Sequence, residues 1–86
     1  MTIPSRGTPE FWRLYRALPD EVRSLARKNY HLWSVNAFHP SLHFKSIGKP
    51  NWSVRIGSHY RAVGRFSEKT FLWEWIGSHE EYDRRF

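Results

Sequence analysis

Cysteine is absent from the 86 residues, which removes disulfide staples, thiolate nucleophiles and every cysteine-based zinc site at once and fits a reducing compartment. No uninterrupted apolar run reaches the roughly 18 residues that a membrane helix needs. The stretch from Met1 to Gly7 has neither an apolar segment nor a small-residue cleavage pattern, so a cytoplasmic protein with no membrane association is expected. Internal repeats, low-complexity tracts and linker-like runs are missing too, and one domain spanning 1–86 is the expectation. There is no glycine-rich phosphate loop and no zinc-finger spacing. His39-Pro40-Ser41-Leu42-His43 offers two imidazoles, but it lacks a third ligand, and the proline breaks helical i,i+4 geometry. No metal and no small-molecule cofactor is therefore expected.

The most informative absence is one of charge. Between Val22 and Ser67 there is no Asp or Glu, while Arg23, Arg27, Lys28, Lys45, Lys49, Arg55, Arg61 and Arg65 fall in that stretch together with His31, His39, His43 and His59. The formal net charge is +6. A polyanion would meet fixed positive charge there with no carboxylate to repel it, the electrostatic footprint of a nucleic-acid-binding surface. An acidic protein partner could use the same patch.

What is present is an aromatic-rich chain, with five Trp, four Tyr and six Phe, an economical way for a small domain to fill a core. Thr8-Pro9-Glu10 reads as a helix start, with a capping hydroxyl, a proline suited to the first position and an early acid. Phe11, Leu14, Tyr15 and Leu18 then form one apolar stripe, and Leu18-Pro19 breaks the helix. Pro19-Asp20-Glu21 starts a second helix whose inner face carries Val22, Leu25, Ala26, Asn29 and Trp33, ending before His39-Pro40. Beyond Pro40 the period becomes 2. Leu42 and Phe44 alternate with His43 and Lys45; Trp52, Val54 and Ile56 with Ser53 and Arg55; Tyr60, Ala62, Gly64 and Phe66 with Arg61, Val63 and Arg65; Phe71, Trp73 and Trp75 with Leu72, Glu74 and Ile76. The expected fold is α+β: an N-terminal helical hairpin packed on a twisted antiparallel sheet of about four strands. On that alternation Arg55, Arg61, Arg65 and Lys45 share the face turned away from the helices, where guanidinium forks match phosphate oxygens.

The last strand leads into Gly77-Ser78-His79-Glu80-Glu81-Tyr82-Asp83. His79 stands at the strand-end rim with a tyrosine three residues on, and imidazole is suited to proton transfer near neutrality. Cutting RNA without a metal needs a group to take the 2′-hydroxyl proton, cations for the developing phosphorane charge and a proton for the leaving oxygen. Arg55, Arg61, His79 and Tyr82 could supply that set. His59, in a hairpin, reads mainly as a polar turn residue that could also reach the rim.

Pro40-Ser41-Leu42-His43-Phe44-Lys45, Trp52-Ser53-Val54-Arg55-Ile56-Gly57, Tyr60-Arg61-Ala62-Val63 and Trp75-Ile76-Gly77-Ser78-His79-Glu80-Glu81-Tyr82-Asp83, in this order, resemble the RelE/ParE superfamily of toxins from type II toxin–antitoxin systems, and its HigB-like members most. The resemblance runs from about Phe11 to Asp83. It implies a RelE-like fold and a ribosome-dependent mRNA endonuclease that attacks through the 2′-hydroxyl and is neutralised by a cognate antitoxin. It places Arg55, Arg61, His79 and Tyr82 in the catalytic positions, with Lys45, Arg65, His43 and Lys49 along the RNA path. Ser53 stands where several RNA-cleaving relatives have lysine, which leaves the proton-transfer task to His79. The short N-terminus implies one strand fewer than in many members. Two other readings of the residues are a ParE-like gyrase poison, which works by protein contact, and a non-catalytic nucleic-acid-binding module.

Overall fold

Thr8 opens the first helix as a cap: its hydroxyl accepts the Phe11 N–H at 3.2 Å, and Pro9 takes the first helical position, where a missing N–H costs nothing. In the computed structural model, which describes residues 3–86, this helix is α1 (Pro9–Arg16) and it is followed by α2 (Asp20–Val35). Strand β1 (Ser5–Gly7) precedes them; a single 3-10 turn (Pro40–Leu42) leads to β2 (Lys45–Ser46), β3 (Asn51–Ile56), β4 (Tyr60–Ser67), β5 (Thr70–Ser78) and a terminal helix α3 (His79–Arg85). No helix among the described residues is long and apolar enough to cross a membrane.

The fold is the expected α+β arrangement, with five strands rather than four, in the order β1-β5-β4-β3-β2. The additional strand is β1, which pairs parallel with β5 through Ser5↔Phe71 and Gly7↔Trp73; all other pairings are antiparallel. Three residues are too few for a visible period of 2, so this strand left no pattern in the sequence. The expected strand over Leu42–Lys45 is shorter than its alternation suggests. His43 adopts a left-handed conformation (φ 47°) at the end of the 3-10 turn, which leaves only Lys45 and Ser46 to pair. His39 caps that turn, its Nδ1 accepting the Ser41 N–H at 3.2 Å.

The core lies between the hairpin and one face of the sheet. Trp33 of α2 is 1% exposed and packs its ring on Phe44, Phe71 and Trp73, at centroid separations of 5.8, 5.4 and 5.1 Å, within the range of favourable aromatic pairs. Phe11, Ala26, Val54, Ile56, Ala62 and Ile76 complete it. Between α1, α2 and the sheet lies an apolar cavity of about 310 Å³ whose lining contains no histidine or carboxylate.

A bulge in β5 changes which residues face the core. Pairing passes from Val63↔Trp75 to Gly64↔Trp73, so Glu74 is an extra residue and the alternation slips by one. Ile76 therefore enters the core, while Trp75 moves to the opposite face, against the simple alternation of Phe71, Trp73 and Trp75. That opposite face is partly covered by α3: Tyr82 and Phe86 pack on the Trp75 ring at 6.4 and 5.3 Å.

Candidate functional site

Strands β3 and β4 place Arg55 directly opposite Arg61 in the ladder, and Arg61 is in turn opposite Gly77 of β5. Two like charges facing each other across a ladder are mutually destabilising. Neither guanidinium meets a carboxylate among the described residues. Arg55 is held by Nε donating to the Gly57 carbonyl at 2.9 Å, and its own carbonyl accepts from Asn29 of α2 at 3.1 Å. Arg61 has a buried Nη1 with no hydrogen-bond partner, and its guanidinium carbon lies 5.8 Å from the centre of the Tyr82 ring, within cation–π range.

The third component comes from the junction of β5 and α3. Ser78 caps α3 by a reciprocal box: its hydroxyl accepts the Glu81 N–H at 3.2 Å, and Glu81 Oε1 accepts the Ser78 N–H at 3.2 Å and its hydroxyl at 3.1 Å. These donors hold the Glu81 carboxyl below its ordinary value. The cap fixes where helix geometry begins, and so sets His79 as the first helical residue with Asp83 one turn on. His79 Nδ1 lies 3.2 Å from Asp83 Oδ2, which orients the ring and leaves Nε2 as its second nitrogen.

Arg55, Arg61 and His79 line one cleft of about 570 Å³ together with Ser58, His59, Tyr60, Ser78 and Glu80. The cleft thus gathers two guanidinium groups, two imidazoles and one carboxylate at its rim. Such a set can neutralise a phosphodiester and move protons beside it. Tyr82 stands beside this cleft rather than in its lining: its ring is 6.1 Å from that of His79, and its hydroxyl donates to Ser53 Oγ at 3.4 Å. Ser53 is 2% exposed, buried beneath that contact.

The other basic residues lie outside the cleft. Lys45 is exposed on β2, in register with Ser53. Arg65 is four residues along β4 from Arg61, roughly 13 Å at strand rise, and it pairs with Glu74 at 3.4 Å. Lys49 is exposed in the β2–β3 turn and His43 at the end of the 3-10 turn. The outer face is therefore not one continuous basic surface: α3, with Tyr82 and Phe86, covers its middle.

The sequence marked Arg55, Arg61 and His79, and the structure brings these three together. His59, read mainly as a turn residue that could reach the rim, lines the cleft, while the place of Asp83 beside His79 was missed. The signal for Asp83 was its i,i+4 spacing from His79, meaningful only once Ser78-His79-Glu80-Glu81 is read as a capping box that starts a helix.

The profile of the ParE-like toxin domain matches residues 20–84. No curated protein matches the chain in sequence. Among solved structures, E. coli toxin RelE, in a mutant form in the free state, is similar with a TM-score of 0.74 at 17% identity, over 96% of this chain and 90% of that one. A chain of the RelB–RelE antitoxin–toxin complex from Methanococcus jannaschii gives 0.71 at 15% identity, covering 93% and 98%. A chain of the E. coli DinJ–YafQ toxin–antitoxin complex gives 0.69 at 9% identity, covering 94% and 97%. At such identities the structural likeness shows the RelE-like fold, while the profile match covers most of the chain.

Proposed function

Because this chain belongs to the ParE-like toxin domain family, we propose that it is the toxin of a type II toxin–antitoxin pair and that it acts as a metal-independent endoribonuclease on ribosome-bound mRNA. The observation that carries the reading is the cleft in which Arg55 and Arg61 oppose each other without a carboxylate counterpart, beside an imidazole oriented by Asp83. A surface built only for stability gains nothing from opposing two guanidinium groups, whereas a bound phosphodiester would satisfy both.

In the proposed reaction the ribose 2′-hydroxyl attacks the adjacent phosphorus. The 2′-oxygen–phosphorus bond forms as the bond to the 5′-oxygen breaks, leaving a 2′,3′-cyclic phosphate and a 5′-hydroxyl. Arg61 and Arg55 stabilise the charge on the non-bridging oxygens, His79 takes part in proton transfer, and Tyr82 holds the Arg61 guanidinium and offers a ring face to a neighbouring base. Lys45, Arg65, His43 and Lys49 form the outlying contacts of a longer RNA path. The counterpart is an antitoxin with an acidic segment that occupies the cleft; the similar structures include chains from antitoxin–toxin complexes.

Expression of the chain alone tests this. Growth arrest with cut transcripts, abolished by His79→Ala in a variant that retains RNA affinity, is the expected result. Arrest with intact transcripts and DNA damage would replace the nuclease with a gyrase poison. Unaltered toxicity of the His79 variant would leave a non-catalytic binder.

A further inference from the structure

The cleft holds a second imidazole to which the reading above gives no task. His59 is exposed in the turn between β3 and β4 and lines the same cleft as Arg55, Arg61 and His79. Its carbonyl accepts the His79 N–H at 2.7 Å, so the hairpin turn is fastened to the first residue of α3. One backbone hydrogen bond thus fixes the spacing of the two histidine-bearing segments. A polar turn residue needs only solvent; this one has its main chain tied to the other proton-transfer candidate and its side chain at the wall of a cationic cleft. No side-chain hydrogen bond engages its ring among the described residues.

We propose that His59 is the second proton-transfer residue of the cleft, acting as general acid while His79 acts as general base. This rests on the endoribonuclease reading and assigns its two proton transfers to separate groups. His79 Nε2 takes the 2′-hydroxyl proton as the 2′-oxygen–phosphorus bond forms, and the Asp83 carboxylate at Nδ1 stabilises the imidazolium that results. The His59 imidazolium gives its proton to the 5′-oxygen as the phosphorus–oxygen bond breaks, so the ribose 5′-hydroxyl leaves neutral. Arg55 and Arg61 lie in the same cleft, where they neutralise the phosphorane oxygens. The remaining titratable groups there are Tyr60 of β4 and Glu80 of α3, with Asp83 behind His79.

A scissile linkage carrying sulfur in place of the 5′-bridging oxygen separates this from a structural role, because a thiolate leaves without being protonated. The full chain is assayed on translating ribosomes with mRNA bearing either linkage at the cleaved position. His59→Ala and His59→Gln should slow cleavage of the oxygen linkage by about 100-fold or more, in the range of a lost general acid, and cut the sulfur linkage within a few-fold of the wild type. His79→Ala should be slow on both. Cleavage of the oxygen linkage at the wild-type rate by both His59 variants would overturn the assignment, as would an equal loss on the two linkages. A wild type that cuts neither linkage would overturn the endoribonuclease reading itself, whereas a wild type that cuts with indifferent His59 variants removes only the role of His59.

Discussion

Replacing Arg61 by methionine should stabilise the fold while abolishing toxicity. The guanidinium has a buried Nη1 with no partner, a penalty of about 1–3 kcal/mol. It also faces Arg55 across the ladder, a repulsion of up to about 1 kcal/mol. Against these stands the cation–π contact with Tyr82, worth roughly 0.5–1 kcal/mol, while methionine keeps most of the aliphatic stem packing. The balance runs from about 0 to about 3.5 kcal/mol in favour of Arg61→Met, and for a domain of this size each kcal/mol raises Tm by roughly 4–8 °C. Thermal unfolding followed by tryptophan fluorescence, in a low-salt buffer free of phosphate, reads the difference. Adding inorganic phosphate should raise the Tm of the wild type more than that of the variant, because a ligand stabilises the state that binds it. An Arg61→Met variant that melts below the wild type would make the guanidinium a structural support rather than an anion-binding group kept at a cost to the fold.

Other consequences are independent of that one. Trp33→Ala, at the most enclosed aromatic position of the hairpin, should cost about 3–5 kcal/mol, measured by urea unfolding; a loss under about 1 kcal/mol would contradict the packing described. Gly64→Ala should prevent folding, since a Cβ there would overlap the Leu72 carbonyl and the Phe71 ring where backbone cannot move aside; a folded variant with native near-ultraviolet dichroism would refute this. Glu81, whose carboxyl lies below its ordinary value of 4.5, stabilises the α3 cap fully above that pH, and the contribution is lost as pH falls through the lower folded value. Acid titration of Trp75 fluorescence should therefore show a transition below pH 4.5 that Glu81→Gln removes.

How much was legible from residues alone depended on how many residues carried each signal. Thr8-Pro9 and Pro19-Asp20-Glu21 marked both helix starts because capping and proline geometry are local. Long strands such as Tyr60–Ser67 showed their period. Strand β1 did not, because it pairs through three residues whose partner is distant in sequence. The bulge at Glu74 was invisible for a related reason: Phe71, Trp73 and Trp75 have the same spacing whether or not a residue is looped out, and only the register with Val63 and Gly64 decides which face Trp75 takes. The cleft was half legible. Alternation alone puts Arg55 and Arg61 on one face, but the approach of His59 to His79 follows from a long-range main-chain hydrogen bond that no pattern of side chains encodes.

Arg55, Arg61 and His79 line one cleft, and whether that cleft cuts a phosphodiester is read from the end groups of mRNA recovered from stalled ribosomes. Fragments bearing 2′,3′-cyclic phosphate and 5′-hydroxyl ends are expected from the wild type and should be absent with His79→Ala. Full-length mRNA in arrested cells, or fragments ending in 5′-phosphate, would rule out 2′-hydroxyl attack in this cleft.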